Sequence, residues 1–232
     1  MTETGPGPRR IRSYVRRAGR LTRAQARALQ TLWPAFGLDT GSEPLDLTNA
    51  FGRDAPRILE IGFGDGACLA ELAARHADRD YLGIEVHEPG IGHLLLALEK
   101  NRTGNVRIIA RDATEVLPLI PPQGLHGVHL FFPDPWPKKR HHKRRIVQPA
   151  FLDAVGRVVA PGGYLHMATD WEPYAEHMLA VGNAAPGWTN TSPEAGFVGR
   201  PDTRPETKFE RRGQRLGHTV RDLVFRRDDT PA

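Results

Sequence analysis

Asp134 stands in the stiffest segment of the chain, because prolines alternate with Asp134 and Trp136 over residues 133–137. A proline fixes its own φ angle and disfavours the right-handed helical region for the residue before it. We therefore expect Phe132, Asp134 and Trp136 to be extended. Residues 138–145 follow at once with six Lys or Arg, two His and no acid. A rigid carboxylate beside dense positive charge predicts chemistry on a polyanion, although such a run taken alone is as readily a solvated face.

Positive charge is concentrated in two parts of the chain. Residues 1–27 carry eight Arg and one Glu, and residues 138–145 carry +6. Because the whole chain carries +5, the remainder carries −8. An acidic body with two cationic patches is typical of a nucleic-acid-binding protein, and we expect both patches to contact phosphate.

Acidic residues recur at the ends of the predicted strands. Short apolar runs over 58–61, 81–85, 106–110, 128–132 and 164–168 alternate with helical patterns, which predicts a doubly wound, mostly parallel α/β sheet. Each run ends in or beside one carboxylate, in chain order Glu60, Glu85, Asp112, Asp134 and Asp170. Ligands of such sheets bind beyond the carboxyl ends of the strands. Five acids at one edge therefore predict a site.

The first strand leads into a tight turn that contains Gly62, Gly64 and Gly66. This spacing is one residue shorter than the dinucleotide fingerprint and is weak evidence alone. Glu85 follows Gly62 by 23 residues, about where an acid binds a ribose, and Asp112 is placed for an adenine edge. Surrounding acids favour a cationic nucleoside over a pyrophosphate, and S-adenosylmethionine is such a ligand.

The elements around these residues are predicted from periodicity and capping. Thr22 is a candidate N-cap for a helix over 24–32, and a closing strand pair is expected at 188–191 and 223–227. Further helices are expected over 67–75, 90–100, 113–120, 146–159 and 172–180, with a turn at 161–163. We predict two regions, a partly disordered basic N-terminal arm over 1–50 and a catalytic domain over 51–232.

Composition narrows the class of protein. The chain has 232 residues, 39% of them hydrophobic and 25% charged, as in globular proteins. No apolar run approaches the roughly 20 residues of a membrane span, and the first 30 residues lack a signal-peptide core. Cys68 is the single cysteine, so a disulfide or Cys-based zinc site within the chain is not expected. A cytoplasmic, monomeric protein without metal is the expectation.

Several motifs together resemble the bacterial tRNA (guanine-N7-)-methyltransferases over about residues 12–226. They are Ser-Tyr-Val-Arg-Arg-Ala-Gly-Arg-Leu-Thr (13–22), Leu-Glu-Ile-Gly-Phe-Gly (59–64), Gly-Ile-Glu-Val-His (83–87), Phe-Phe-Pro-Asp-Pro-Trp (131–136), Ala-Thr-Asp-Trp (168–171) and Arg-Pro-Glu-Thr-Lys-Phe-Glu (204–210). The proline–acid–tryptophan segment with its basic tail is highly specific, whereas the glycine turn is not.

The resemblance implies a class I, Rossmann-like methyltransferase fold whose last strand is antiparallel. It implies methyl transfer from S-adenosylmethionine to N7 of guanine in tRNA, at position 46 of the variable loop. Cofactor contacts would be Glu60, Glu85, Asp112 and Asp134 with the glycine turn, and Asp134 would be catalytic. Substrate contacts would be Lys138, Asp170, Thr207, Lys208, Phe209 and Glu210. The tRNA would contact Arg140, His141, His142, Lys143, Arg144 and Arg145.

Three other functions compete with this one. The chain could methylate rRNA, DNA or a small molecule, although Pro-Asp-Pro-Trp differs from the Asn/Asp-Pro-Pro-Tyr/Phe segment of adenine-amine methyltransferases. It could be a non-catalytic RNA-binding module, but an anionic pocket does not suit a pure binder of an anionic polymer. A nicotinamide oxidoreductase is disfavoured by the short glycine turn.

Overall fold

A computed structural model describes residues 13–14, 19–206, 210 and 219–229. Within these ranges the helices are α1 (Arg23–Thr31), α2 (Trp33–Phe36), α3 (Leu47–Phe51), α4 (Ala67–Arg75), α5 (Glu88–Asn101), α6 (Ala113–Val116), α7 (Pro149–Val158) and α8 (Glu172–Asn183). The strands are β1 (Arg57–Ile61), β2 (Asp80–Ile84), β3 (Val106–Ile109), β4 (Leu125–Phe131), β5 (Val159–Thr169), β6 (Trp188–Asn190) and β7 (Arg221–Arg227). Two short 3-10 helices cover Leu117–Leu119 and Lys139–Arg144.

All seven strands form one sheet in the order β3-β2-β1-β4-β5-β7-β6. Strands β1 to β5 are parallel, and β7 pairs antiparallel with both β5 and β6. The chain moves outward from β1 to β3 and then returns to place β4 on the other side of β1. Neighbouring loops therefore diverge beyond β1 and β4, which leaves a crevice at the carboxyl ends of these two strands.

Hydrophobic layers cover both faces of the sheet. One layer includes Leu152 and Val155 of α7 with Met178 of α8, and the other includes Leu69 of α4 and Leu94 of α5. The central strands β1 and β2 are buried along their whole length, as expected for a parallel sheet covered by helices on both sides. This packing fixes the edge at which the strand-end acids lie.

Local signals in the sequence explain several helix boundaries. Thr22 caps α1 in a reciprocal capping box with Gln25, as expected for a polar N-cap. Pro149 occupies the first turn of α7, where its missing N–H costs no helical hydrogen bond. The predicted α4 has the bounds found in the structure, and the predicted closing pair is β6 with β7.

Other predictions were wrong. The predicted helix over 146–159 begins only at Pro149, and the one over 113–120 gives way to a 3-10 turn after Val116. The turn predicted at 161–163 lies inside β5, which pairs with β4 on both sides of a register shift. The division at residue 50 and the monomeric state stay predictions. Among the described residues, no helix is long and apolar enough to cross a membrane.

Candidate active site

A cavity of about 170 Å³ opens at the carboxyl ends of β1, β2 and β4, where the strand order reverses. Three of the predicted acids line it, namely Glu85, Asp112 and Asp134. Gly62 lines it from the turn after β1, and Phe132 lines it from the end of β4. The structure thus brings together residues that are far apart in the sequence, with 72 positions between Gly62 and Asp134.

Glu85 and Asp112 are held by groups close to them. The Glu85 carboxylate accepts hydrogen bonds from the backbone N–H groups of Gly64 (2.9 Å), Val86 (2.7 Å) and His87 (3.0 Å). Asp112 caps α6, where its Oδ1 accepts from the Thr114 N–H and hydroxyl, both at 2.9 Å. Fixed carboxylates at this edge suit the hydroxyl and amine donors of a nucleoside.

Glu60 on β1 is 2% exposed and is not among the residues that line the cavity. Burial, followed by the neighbouring charge of Asp65, raises the pKa of Glu60 to about 8, although a hydrogen bond from the Cys68 thiol opposes the rise. Its Oε2 has no hydrogen-bond partner among the described residues. A buried carboxylate oxygen in this state is suited to a cationic group brought by a ligand.

The glycine turn offers open space in front of its backbone. Gly62 and Gly64 have φ angles of +70° and +61°, which side chains rarely adopt. Among the described residues, apart from the glycine and its two chain neighbours, no atom lies within 4 Å of the position that a Cβ would take at either residue. At Gly66, by contrast, a Cβ would lie 2.6 Å from that of Leu94, so this glycine permits α4 to pack on α5. Gly62 and Gly64 therefore form the part of the turn that a ligand can approach.

Two residues of the proline segment, residues 132–137, do not have the predicted extended conformation. Phe132 and Trp136 have φ angles of +51° and +45°, in the left-handed region. The prediction was wrong because tertiary contacts hold these two residues in the left-handed region, against the extended preference that the following proline imposes. A bulky residue with positive φ is strained, and such strain concentrates at functional sites.

Contacts with distant residues hold the proline segment in place. The Phe132 N–H donates to the Ala168 carbonyl at 2.8 Å, and the Trp136 Nε1–H donates to the Ser13 carbonyl at 3.1 Å. Arg145 donates through Nε to the Pro135 carbonyl at 2.9 Å. Asp134 is half-buried and lies at the cavity wall between these anchored points.

Arg145 differs from the other cations of the basic run. Its side chain is 4% exposed, its guanidinium lies 4.7 Å from the Tyr174 ring centroid, and burial lowers its pKa. The prediction that it binds RNA does not fit this geometry, because the guanidinium faces the carbonyl of the proline segment and not solvent. The surface members are Lys138, Lys139, Arg140, Lys143 and Arg144, with His141 and His142 half-buried.

Other predicted substrate residues lie outside the cavity wall. Asp170 is exposed at the carboxyl end of β5, and Lys138 is exposed at the start of the 3-10 helix. Glu210 is buried and ion-paired with Arg204, which does not fit a direct contact with a base. Thr207, Lys208 and Phe209 lie outside the described residues.

Sequence reasoning missed several residues of the cavity wall, two of them near the N-terminus. Ser13 and Tyr14 line the cavity, although they belong to the segment predicted as a basic arm. Further along this segment, Gln25 donates to the Pro89 carbonyl at 3.0 Å, which ties α1 to the start of α5. The motif Ser-Tyr-Val-Arg-Arg was available in the sequence as a signal, but its charge suggested RNA contact and not a place at the cavity.

Comparisons with known proteins agree with this architecture. The family model described as "Putative methyltransferase" matches residues 54–223. The solved 16S rRNA methyltransferase KamB superposes with a TM-score of 0.58 at 18% identity, covering 80% of this chain and 95% of its own. The 16S rRNA (adenine(1408)-N(1))-methyltransferase from Catenulisporales acidiphilia gives a TM-score of 0.54 at 17% identity, covering 85% and 99%. At these identities the likeness shows the fold, a class I methyltransferase sheet.

Two curated relatives are far more similar in sequence. The tRNA (guanine-N(7)-)-methyltransferase of Alkalilimnicola ehrlichii is 61% identical, covering 99% of this chain and 98% of the relative. That of Alcanivorax borkumensis is 56% identical, covering 96% and 94%. Identity at this level over nearly the whole length confirms the resemblance carried by the motifs. The chain belongs to the tRNA (guanine-N(7)-)-methyltransferase family.

Proposed function

We propose that this protein transfers a methyl group from S-adenosylmethionine to N7 of a guanine in tRNA, at position 46 of the variable loop. The observation that carries the proposal is the cavity at the strand-order reversal, which three carboxylates line beside a cationic 3-10 helix. The relatives named for this reaction support the same assignment.

The residues around the cavity fit S-adenosylmethionine. Glu85 and Asp112 can accept from ribose hydroxyls and an adenine amine, since both are fixed by their own hydrogen bonds. The Oε2 of Glu60, which has no partner in the described part of the chain, suits the ammonium group, and the open turn at Gly62 and Gly64 lets the ligand approach the backbone. When bound, S-adenosylmethionine supplies an electrophilic methyl group on a positively charged sulfur.

The chain has to orient the guanine and stabilise its developing charge. Guanine N7 already has a lone pair, so no residue must remove a proton before attack. Asp134 is held at the cavity wall by a segment that is anchored at both ends, and we assign it the catalytic role of orientation and charge stabilisation. Asp170 and Lys138 are proposed to bind the guanine, because a carboxylate can accept from its N1–H and exocyclic amine.

The tRNA backbone is proposed to bind the exposed cations of the 3-10 helix. Lys139, Arg140, Lys143 and Arg144 project from one short element directly after the proline segment. If about six phosphate contacts form across both basic patches, log affinity should fall with log salt at a slope of about −4 to −5. Filter binding from low to high salt measures this slope, and a flat response would rule out an electrostatic tRNA interface.

The decisive experiment is methylation of tRNA taken from cells that lack the modification. The purified protein is incubated with this tRNA and S-adenosylmethionine, and the digested nucleosides are analysed by mass spectrometry. We expect 7-methylguanosine, with no product when the methyl donor is omitted. A different methylated nucleoside would overturn the assignment to guanine N7, and binding of the methyl donor without any product would overturn tRNA as the acceptor.

A further inference from the structure

Arg204 is a fully buried arginine directly behind the cavity wall. Its side chain is 0% exposed, although it belongs to an irregular segment between β6 and β7. A buried guanidinium is expected to be paired, and Arg204 is paired on two sides. The proline segment, the sheet and Glu210 meet at this group.

Two carboxylates share the Arg204 guanidinium. Asp222 of β7 accepts from Nε at 2.7 Å and from Nη2 at 2.8 Å, which is a bidentate pair. Glu210 accepts from Nη2 at 2.9 Å and also from Nη1. Burial would lower the pKa of Arg204, but the hydrogen bonds and charges of Asp222 and Glu210 raise it. The group is therefore a permanent cation.

His166 of β5 anchors the same cluster to the centre of the sheet. Its Nε2 lies 2.8 Å from Asp222 Oδ1, and its Nδ1 lies 3.0 Å from the Thr203 hydroxyl. Burial lowers the pKa of His166, although the hydrogen bond with Asp222 opposes this, so the neutral ring is favoured. Because a carboxylate only accepts, Nε2 carries the proton and Nδ1 accepts from Thr203. Asp222 is thereby fixed between two donors.

The guanidinium also contacts the start of the proline segment. Its Cζ lies 5.6 Å from the ring centroid of Phe132, the cavity residue with a φ angle of +51°. The neighbouring Phe131 ring lies edge-on to His166, at 4.9 Å between centroids. The strained residue two positions before Asp134 is therefore supported from behind by this buried cluster.

We propose that Arg204 is a positioning residue of the active site, which holds Phe132, and through it Asp134, by a guanidinium clamped between Asp222 and Glu210. This inference rests on the proposed function for the reaction that it serves. It also changes the role of Glu210, whose carboxylate acts as an anchor for Arg204 and not as an acceptor for the target base.

Arg204→Lys tests the clamp while keeping the charge. A lysine ammonium cannot form two bidentate pairs, so both carboxylates lose part of their bonding and Phe132 loses its planar support. We expect turnover of saturating tRNA to fall by about 10- to 100-fold, the range for a small displacement of a reacting group. Affinity for S-adenosylhomocysteine, measured by calorimetry, should stay within about threefold, because Glu85 and Asp112 are held by bonds that do not involve Arg204.

Arg200→Lys is the matched control. Arg200 also faces Glu210, but at 3.9 Å and with a side chain that is 43% exposed. Its replacement should leave turnover near the wild-type value. All variants are assayed at a temperature where circular dichroism shows each to be fully folded. Arg204→Ala is avoided, since it would leave two buried carboxylates without a cation and unfold this edge of the sheet.

Glu210→Gln, made alone and combined with Arg204→Lys, tests whether Glu210 holds Arg204 in place or contacts the target base directly. If Glu210 acts through Arg204, the double variant should lose little more turnover than the worse single variant. Losses that multiply would show an independent role for Glu210 and overturn the anchor. Wild-type activity in Arg204→Lys would overturn the positioning role alone, whereas a wild-type protein that makes no 7-methylguanosine would overturn the proposed function.

Discussion

The two sides of the cavity are held in different ways. On the side of β1 to β3, Glu85 and Asp112 are fixed by donors no more than 21 residues away in sequence. On the side of β4, the proline segment is held by Arg145, Ser13 and Ala168, with Ser13 lying 123 positions from Trp136. The first side is held within the β1 to β3 half of the sheet, by a helix cap at Asp112 and by backbone N–H groups around Glu85. The second is a strained segment that depends on contacts with residues elsewhere in the fold. We therefore expect mutations on the two sides to have different effects.

Asp134→Asn should produce the largest effect, on the strained side. The amide keeps the shape but removes the charge that stabilises the developing cation, so turnover should fall by about 100-fold or more. Methylation rates with saturating tRNA and methyl donor measure this. Near-wild-type turnover would show that the proline segment orients the substrates without an electrostatic role for Asp134.

Glu60→Gln should stabilise the protein without ligand while weakening the cofactor site. Because the folded pKa is raised from 4.5 to about 8, the folded state retains a proton that the unfolded state has lost between these values. Stability therefore falls as pH rises through this window in the wild type. The variant should remove this dependence and gain about 1 to 3 kcal/mol at pH 8.

Chemical unfolding at pH 5 and pH 8 tests this prediction, with Glu71→Gln on α4, where the side chain is 43% exposed, as the control. Titration with S-adenosylhomocysteine should show weaker binding for Glu60→Gln than for the wild type, and unchanged binding for Glu71→Gln. Equal pH dependence in the wild type and in Glu60→Gln would remove Glu60 as the titrating group.

Arg145→Lys should weaken the contacts that hold the proline segment on the β4 side of the cavity. The variant loses the Nε bond to the Pro135 carbonyl and the planar contact with Tyr174. We expect about 1 to 2 kcal/mol of lost stability and roughly tenfold lower turnover. Arg144→Lys is the matched control, because Arg144 is exposed and lies 4.9 Å from the Trp136 ring centroid. Equal losses of stability and turnover in the two variants would contradict the distinction between the buried Arg145, which holds the proline segment, and the exposed Arg144.

Trp136→Phe should have the smallest effect. It keeps an aromatic ring but removes the Nε1–H that bonds to the Ser13 carbonyl, at a cost of about 1 kcal/mol. Since Ser13 and Tyr14 line the cavity, affinity for S-adenosylhomocysteine should fall by about fivefold, the equivalent of that energy. Calorimetry measures it, and an unchanged affinity would separate the N-terminal segment from the cofactor site.

Much of the first side of the cavity could be predicted from the sequence. The alternation of apolar runs and helical patterns predicts a parallel sheet, and the carboxyl ends of parallel strands meet at one edge. Gly62, Glu85 and Asp112 therefore came together as expected, each within the β1 to β3 half of the sheet. The family motifs predicted the reaction, and relatives at 61% and 56% identity confirmed the family.

The second side was decided by the tertiary structure. A following proline favours an extended conformation, so the left-handed φ angles of Phe132 and Trp136 depend on contacts with Ala168 and Ser13. In the same way, Arg145 and Glu210 are charged residues that the sequence places on the surface. Each is buried only because the fold supplies partners to it, a carbonyl of the proline segment for Arg145 and the buried guanidinium of Arg204 for Glu210. Sequence determines which residues are charged and which strands end in acids, whereas burial and long-range pairing determine which of those charges face the ligand.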